Sequence, residues 1–160
     1  HDFGLLGPAT LSIHCNLPQP GEAELLAESG TVVIFCPRSH DFFGYPPYPL
    51  EKYRRLGIRL ALGTDSLASN SSLSMRAEAR RLAELAPDWP PLEILACLTG
   101  ASLGEIEPFG GRGRLIGAPC RSWALWRPVA IPAKHDNPGR LLSLILDPHT
   151  HLVKSSTREL

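Results

Sequence analysis

Asp65 and His14 carry most of the chemistry this sequence offers, and each stands where an apolar run stops. Leu60-Ala61-Leu62 leads into Gly63-Thr64-Asp65-Ser66-Leu67-Ala68-Ser69-Asn70, a run with the character of a strand buried on both faces that breaks off in a carboxylate and a small polar loop. In α/β folds, ligands and reacting groups collect at the carboxyl ends of parallel strands. An aspartate leaving the core at that point reads as a metal ligand or a general base. The alternative is a cap on the next helix, a role that Asp, Ser and Asn all fill, and the local pattern does not separate the two. His14 ends Leu11-Ser12-Ile13 in the same manner, ahead of Asn16 and the breakers Pro18 and Pro20. Alone, such a histidine is more often buried and satisfied by a backbone carbonyl.

The elements that must position these residues alternate along the chain. Leu11 to Cys15 predicts a short strand, Gly21 to Ser29 a helix closed by Gly30, and Thr31 to Cys36 a β-branched buried strand ended by Pro37. Arg38 to Pro49, rich in Pro, Gly and aromatics, reads as a loop. Leu50 to Leu56 is a short helix ending at Gly57, Ile58 to Leu62 the third strand, and Leu73 to Leu85 a helix with Glu78, Arg76, Arg80 and Arg81 on its more polar faces. Pro91 to Leu103 is a further helix with proline in its first turn. Strand–helix alternation of this kind demands a parallel sheet with right-handed crossovers. Three strands cannot close a barrel, so residues 1–108 read as the βα part of something larger.

Beyond residue 108 the pattern changes. Arg114 to Pro119, Ser122 to Trp126, Leu141 to Leu146 and Thr150 to Ser156 predict short strands between Gly/Pro turns, with Pro128 to Pro138 as loop. Residues 109–160 are expected to form a β-strand module, part of a small β-sandwich.

Three segments in this order, His14-Cys15-Asn16, Cys36-Pro37-Arg38-Ser39-His40 and Gly63-Thr64-Asp65-Ser66-Leu67-Ala68-Ser69-Asn70, each one βα unit apart, resemble the ends of the last three barrel strands of the amidohydrolase superfamily. The nearest branch is that of the aminohydrolases and chlorohydrolases, which includes cytosine, guanine and S-adenosylhomocysteine deaminases. Gly113-Arg114-Leu115-Ile116-Gly117-Ala118-Pro119 resembles the return of that family's chain to its β-sandwich, although Ala118-Pro119-Cys120-Arg121 stands where the family usually has an Ala-Asp pair. The resemblance implies an α/β fold, the last three βα units of a TIM-type (β/α)8 barrel followed by part of a β-sandwich, and so an incomplete domain.

It also implies a hydrolase that activates water on a divalent metal, zinc in the first place and iron as the alternative, to deaminate an aminated heterocycle or nucleoside-like small molecule. Asp65 matches the aspartate that ligates the metal and takes the proton of bound water. His14 matches a histidine at the metal centre, as ligand or as hydrogen-bond partner of the water. Bound metal brings the pKa of water toward ~7, and a neighbouring carboxylate can collect the released proton. Ser39 and His40 fall where the pocket would meet substrate, although His40 stands where many relatives have Asn and could equally hydrogen-bond within its loop. Phe42, Phe43, Tyr45 and Tyr48 could stack on a heteroaromatic ring or pack on one another. Glu78 is expected to pair with the nearby arginines. A chlorohydrolase or amidohydrolase acting on an s-triazine, and a truncated non-catalytic remnant, are the alternative readings.

His149-Thr150-His151 has the His-x-His form of the family's first barrel strand, but it follows the turn-like Asp147-Pro148 in the C-terminal module with no helix after it. Its place in the chain order is wrong for the barrel site, and it reads as a surface hairpin. The family's site further needs a His-x-His and another histidine upstream of His14. Catalytic zinc takes about three protein ligands, so these 160 residues by themselves are expected to bind metal weakly and to catalyse nothing. A start without Met, close to a strand, points to a fragment.

The remaining composition is that of one ordinary domain. Hydrophobic residues make up 43% and charged residues 20%, with zero formal net charge. That content supports a core, and the absence of a Lys/Arg cluster argues against nucleic acid or an acidic membrane surface as partner. No apolar stretch approaches the ~20 residues of a membrane span. Cys15, Cys36, Cys97 and Cys120 are scattered without a CxxC pair, which predicts free thiols in a reducing, cytoplasmic compartment. A homo-oligomer is compatible with all of this.

Overall fold

A computed structural model of the chain describes residues 3–101, 123–127, 145–147 and 151–156. Three short strands, β1 (Leu11–Ile13), β2 (Val32–Phe35) and β3 (Leu60–Leu62), lie side by side in the order β1-β2-β3. Both pairings are parallel, with Leu11 opposite Val32 and Val33 opposite Leu60. Helix α1 (Glu22–Ser29) links the first two strands, α2 (Pro37–Phe43) and α3 (Leu50–Arg55) link the second and third, and α4 (Met75–Leu85) and α5 (Pro91–Thr99) follow.

The period-2 alternation of the strands divides the apolar residues between the two faces. Val33, Phe35, Leu60 and Leu62 join the main core with Leu26, Tyr53, Leu82 and Ile94 from the helices. Val32 and Ala61 form a separate small cluster with Leu11 and Ile34. Every residue of β3 is buried, as its unbroken apolar run requires. Gly63 continues the ladder, its N–H donating to the Phe35 carbonyl at 2.9 Å. A Cβ at that position would lie 2.9 Å from Ile34 Cγ2 and 3.1 Å from Cys36 Sγ, so the close approach of β3 to β2 admits only glycine without adjustment.

Several elements depart from what the sequence predicts. β1 stops at Ile13, because His14 and Cys15 turn into the left-handed region at φ 69° and 49°. The segment after β2 is not all loop: Pro37 opens α2 and stands in its first turn, where the missing N–H costs nothing. Helix α5 ends at Thr99, with Gly100 as its left-handed cap. Ile145 and Leu146, predicted in a strand, are helical. The guanidinium of Arg76 donates to the carbonyls of Ile145 (Nε, 2.6 Å) and Asp147, and Arg80 Nε donates to that of Leu146 (2.9 Å). These donors from α4 take carbonyls that a helix end leaves open, while Leu146 packs into the main core. β4 (Trp123–Arg127) and β5 (His151–Ser156) form an antiparallel pair with an irregularity between Leu125 and Trp126. The expected strand at 114–119, Cys120, His149 and Thr150 lie outside the described residues, and His151 opens β5.

Gly63→Ala is expected to lower unfolding free energy by about 1–3 kcal/mol, the range for overpacking a tight core. Denaturant unfolding of the two proteins side by side measures it, and equal midpoints would contradict the close approach.

Candidate active site

Parallel register brings the carboxyl ends of all three strands to one rim, and His14, Cys36-Pro37 and Asp65 leave the sheet there. His14 and Asp65 meet, with Nε2 3.9 Å from Oδ2 and side chains 38% and 28% exposed. Among the described residues only His14, Cys15 and Asp65 combine a positive φ with a side chain, Asp65 at 55°. Left-handed backbone outside glycine is uncommon, persists only where the surroundings over-determine it, and gathers at functional sites.

Two hydroxyls orient the Asp65 carboxylate. Ser39 Oγ donates to Oδ2 at 2.6 Å and Ser69 Oγ donates to the same oxygen at 2.9 Å, the two seryl oxygens being themselves 2.9 Å apart. These bonds, with the Ser66 backbone and the nearby imidazole, hold the Asp65 carboxyl below its ordinary value. Ser39 is buried and wholly engaged in this cluster. Behind it the Cys36 thiol is pushed up to about 11, by burial first and then by the charges of Asp65 and Glu78. It stays protonated and takes no part as a thiolate.

His40 is buried, and both its ring nitrogens are occupied: Nδ1 lies 3.1 Å from Asn16 Oδ1 and Nε2 3.0 Å from the Pro46 carbonyl. The Pro46 carbonyl can only accept, so Nε2 is the nitrogen that donates there. Its place is therefore as a tie between the β1 exit and the α2–α3 connection. Tyr48 is buried too, stacked on Phe35 with ring centroids 3.8 Å apart, whereas Phe42 and Phe43 are exposed and touch each other edge to face.

The sequence places Glu78 on a polar helix face among arginines; the structure buries it completely. Its Oε2 accepts the Arg38 N–H at 3.0 Å and its Oε1 accepts Asn70 Nδ2 at 2.6 Å, with Arg38 Nη1 3.6 Å away. Asn70 Nδ2 also donates to the Thr64 carbonyl at 2.8 Å, so one buried carboxylate ties α4 to the start of α2 and to the loop bearing Asp65. Burial raises the Glu78 carboxyl above its ordinary value against the pull of these donors. The neighbouring arginines are engaged elsewhere: Arg81 with Asp41 and Glu84, Arg76 and Arg80 with carbonyls of residues 145–147. Neither Asn70 nor Ser69 stands out in the sequence beyond its place in the loop, and Asn16 reads there only as the end of a strand.

No protein-family profile matches the chain. It is 42% identical over 146 residues to the 5-methylthioadenosine/S-adenosylhomocysteine deaminase of Nitratidesulfovibrio vulgaris, covering 83% of this chain and 33% of that protein. Over these residues the chain is homologous to amidohydrolase-superfamily deaminases. A zinc-bound adenosine deaminase of Xanthomonas campestris superimposes with a TM-score of 0.58 at 30% identity, over 64% of this chain and 25% of that one. An amidohydrolase of Brucella melitensis, at 14% identity, shares the fold alone, with a TM-score of 0.70 over 94% of this chain and 35% of its own. That fold is a TIM barrel, and the three-stranded parallel α/β sheet of this chain matches part of it. The chain spans from about a fifth to about a third of the length of the relatives it matches.

The two seryl donors make a pH-dependent prediction. A carboxyl held below its ordinary value stabilises the fold above pH 3.8, and that contribution is lost as pH falls through the folded-state value. Ser39→Ala should raise the Asp65 value, read by carboxylate NMR titration, and lower stability at neutral pH by more than at the acid end. An unmoved Asp65 titration would show that the serine does not orient it.

Proposed function

We propose that this chain forms the last three βα units of a (β/α)8 barrel, residues 1–108, with part of a β-sandwich in 109–160, in a metal-dependent hydrolase that removes ammonia from an aminated purine nucleoside. The observation that carries the reading is the pair His14 and Asp65, both on left-handed backbone, meeting at 3.9 Å on the strand-end rim. The names of the relatives, 5-methylthioadenosine/S-adenosylhomocysteine and adenosine deaminases, favour a 6-aminopurine nucleoside.

An imidazole nitrogen and a carboxylate suit zinc, and their convergence fits a shared ion. They are two ligands where catalytic zinc takes about three, and no cluster of three or more His, Cys, Asp or Glu gathers among the described residues. His14 and Asp65 are thus a partial set, to be completed by residues other than those described. When bound, the metal would supply a water acidic enough to lose its proton near neutral pH.

Asp65 would hold the ion through its carboxylate and would be the group placed to take up a proton there. Its carboxyl, held ionised by Ser39 and Ser69, is available as an acceptor across the working range. His14 sits beside it to hold the ion or to donate toward negative charge developing on the substrate ring. Ser39 serves Asp65, and His40 braces the rim; in this reading neither contacts the substrate. The exposed Phe42 and Phe43 remain available to a planar ring. The protein acts on a small molecule in the cytoplasm. Among the described residues no helix is long and apolar enough to cross a membrane.

The test is ammonia release from adenosine, 5-methylthioadenosine and S-adenosylhomocysteine by the whole protein that carries these 160 residues, with and without prior chelation. Activity should depend on zinc, and Asp65→Ala should lower kcat/KM by roughly 100- to 10,000-fold, the range for loss of a positioned base. Full activity in that variant, or none from the wild type on any of the three, would refute the assignment.

A further inference from the structure

The turn that carries His14 is held from behind by two buried tyrosines that the proposed chemistry does not use. After β1 the backbone reverses within two residues: the His14 N–H still bonds across to the Ile34 carbonyl at 2.8 Å, and the Cys15 N–H folds back onto the Ile13 carbonyl at 3.0 Å. Both residues are left-handed, and although histidine, like asparagine and aspartate, visits that region more readily than most side chains, cysteine does not. Their own carbonyls each accept a phenolic hydroxyl. Tyr48 Oη donates to the His14 carbonyl at 2.6 Å, and Tyr53 Oη donates to the Cys15 carbonyl at 2.9 Å.

The two donors are rigidly placed. Tyr48 stacks on Phe35 and meets Tyr53 edge to face, centroids 5.5 Å apart, and Tyr53 is completely buried in the main core. Burial raises both phenols far above their ordinary value, so both remain protonated donors. A core that needed only packing at these positions would be filled as well by phenylalanine, whereas a buried tyrosine hydroxyl must find a partner. Both hydroxyls find theirs on consecutive residues of one strained turn, 34 and 38 positions away in sequence.

We infer that Tyr48 and Tyr53 are positioning residues: their hydroxyls clamp the left-handed His14–Cys15 turn and thereby aim the His14 imidazole at Asp65. This rests on the reading of His14 and Asp65 as the working pair. Removing either hydroxyl leaves a carbonyl unpaired and frees the turn to relax toward the backbone conformations these residues prefer. Glycine at position 15 adopts the left-handed conformation without help, so it should make the Tyr53 hydroxyl dispensable. A purely structural tyrosine has no such dependence on the residue at position 15.

The experiment compares wild type, Tyr48→Phe, Tyr53→Phe and the double variant Tyr53→Phe/Cys15→Gly in the whole protein that carries these 160 residues. It reads the backbone 13Cα resonance of His14 and, independently, affinity for Co2+ as the metal probe from its visible absorption. Each phenylalanine variant should shift the His14 resonance and weaken Co2+ by about tenfold, the scale of one lost hydrogen bond to a buried group. Cys15→Gly should return both readouts toward wild type in the Tyr53→Phe background. An unshifted His14 resonance in either phenylalanine variant, or no recovery with Cys15→Gly, would overturn the clamp. Should Tyr53→Phe fail to fold, refolding of the double variant with the wild-type His14 resonance supports the clamp, and its failure to refold overturns it. A wild-type protein that takes up no Co2+ while its His14 resonance still responds to the tyrosines would refute the metal-site reading and leave the clamp standing.

Discussion

Parallel pairing of three strands whose faces are largely covered leaves polar side chains few places to go except the strand ends. β3 is buried along its whole length and β2 along most of it, so a carboxylate or an imidazole within either would be stranded without water or partner. The in-step register then brings every exit to the same rim. His14, the Ser39-bearing start of α2 and the Asp65 loop are neighbours for that reason, although Asp65 lies 26 residues from Ser39 in sequence. The site is a consequence of sheet geometry before it is one of side-chain chemistry.

What holds the rim open in a usable shape is a layer of polar contacts directly beneath it. Glu78 is the deepest of these, an uncharged-to-charged compromise: burial favours the protonated form, while the Arg38 N–H and the Asn70 amide favour the carboxylate. Through Asn70 it reaches the Thr64 carbonyl, one residue before Asp65. Ser39 and Ser69 then fix the carboxylate itself, and His40 links Asn16 to the α2–α3 connection. Buried networks of this kind are costly when broken and specify one arrangement when complete. The three side-chain-bearing residues on left-handed backbone, His14, Cys15 and Asp65, lie beside this layer, as expected of conformations that persist only where the surroundings over-determine them.

Much of the architecture was legible along the chain. The apolar runs at Leu11, Val32 and Leu60, the glycine after α1 and the proline in the first turn of α5 each act over a few residues, and from such signals the three strands of the parallel sheet and four of the five helices α1 to α5 can be located. Helix α2 was not legible, because proline ends a strand and starts a helix with equal ease, and what favours the helix is a carboxylate on α4 forty residues away. Helical Ile145 and Leu146 escaped for a similar reason: their carbonyls are taken by arginines more than sixty residues earlier. Glu78 looked like a surface charge because its helix is rich in arginine, and only the packing of α4 against α2 puts it inside.

The sequence by itself determined the strand order of the alternation, the two residues best suited to chemistry and the family they resemble, since strand periodicity, breakers and short motifs are local properties of the chain. Tertiary structure alone decided that Ser39 serves Asp65, that His40 is a brace, and that Tyr48 and Tyr53 grip the turn behind His14. Each of those facts is a hydrogen bond between residues 24 to 38 positions apart. Such a bond depends on where packed elements bring two groups, and no periodicity along the chain encodes that distance.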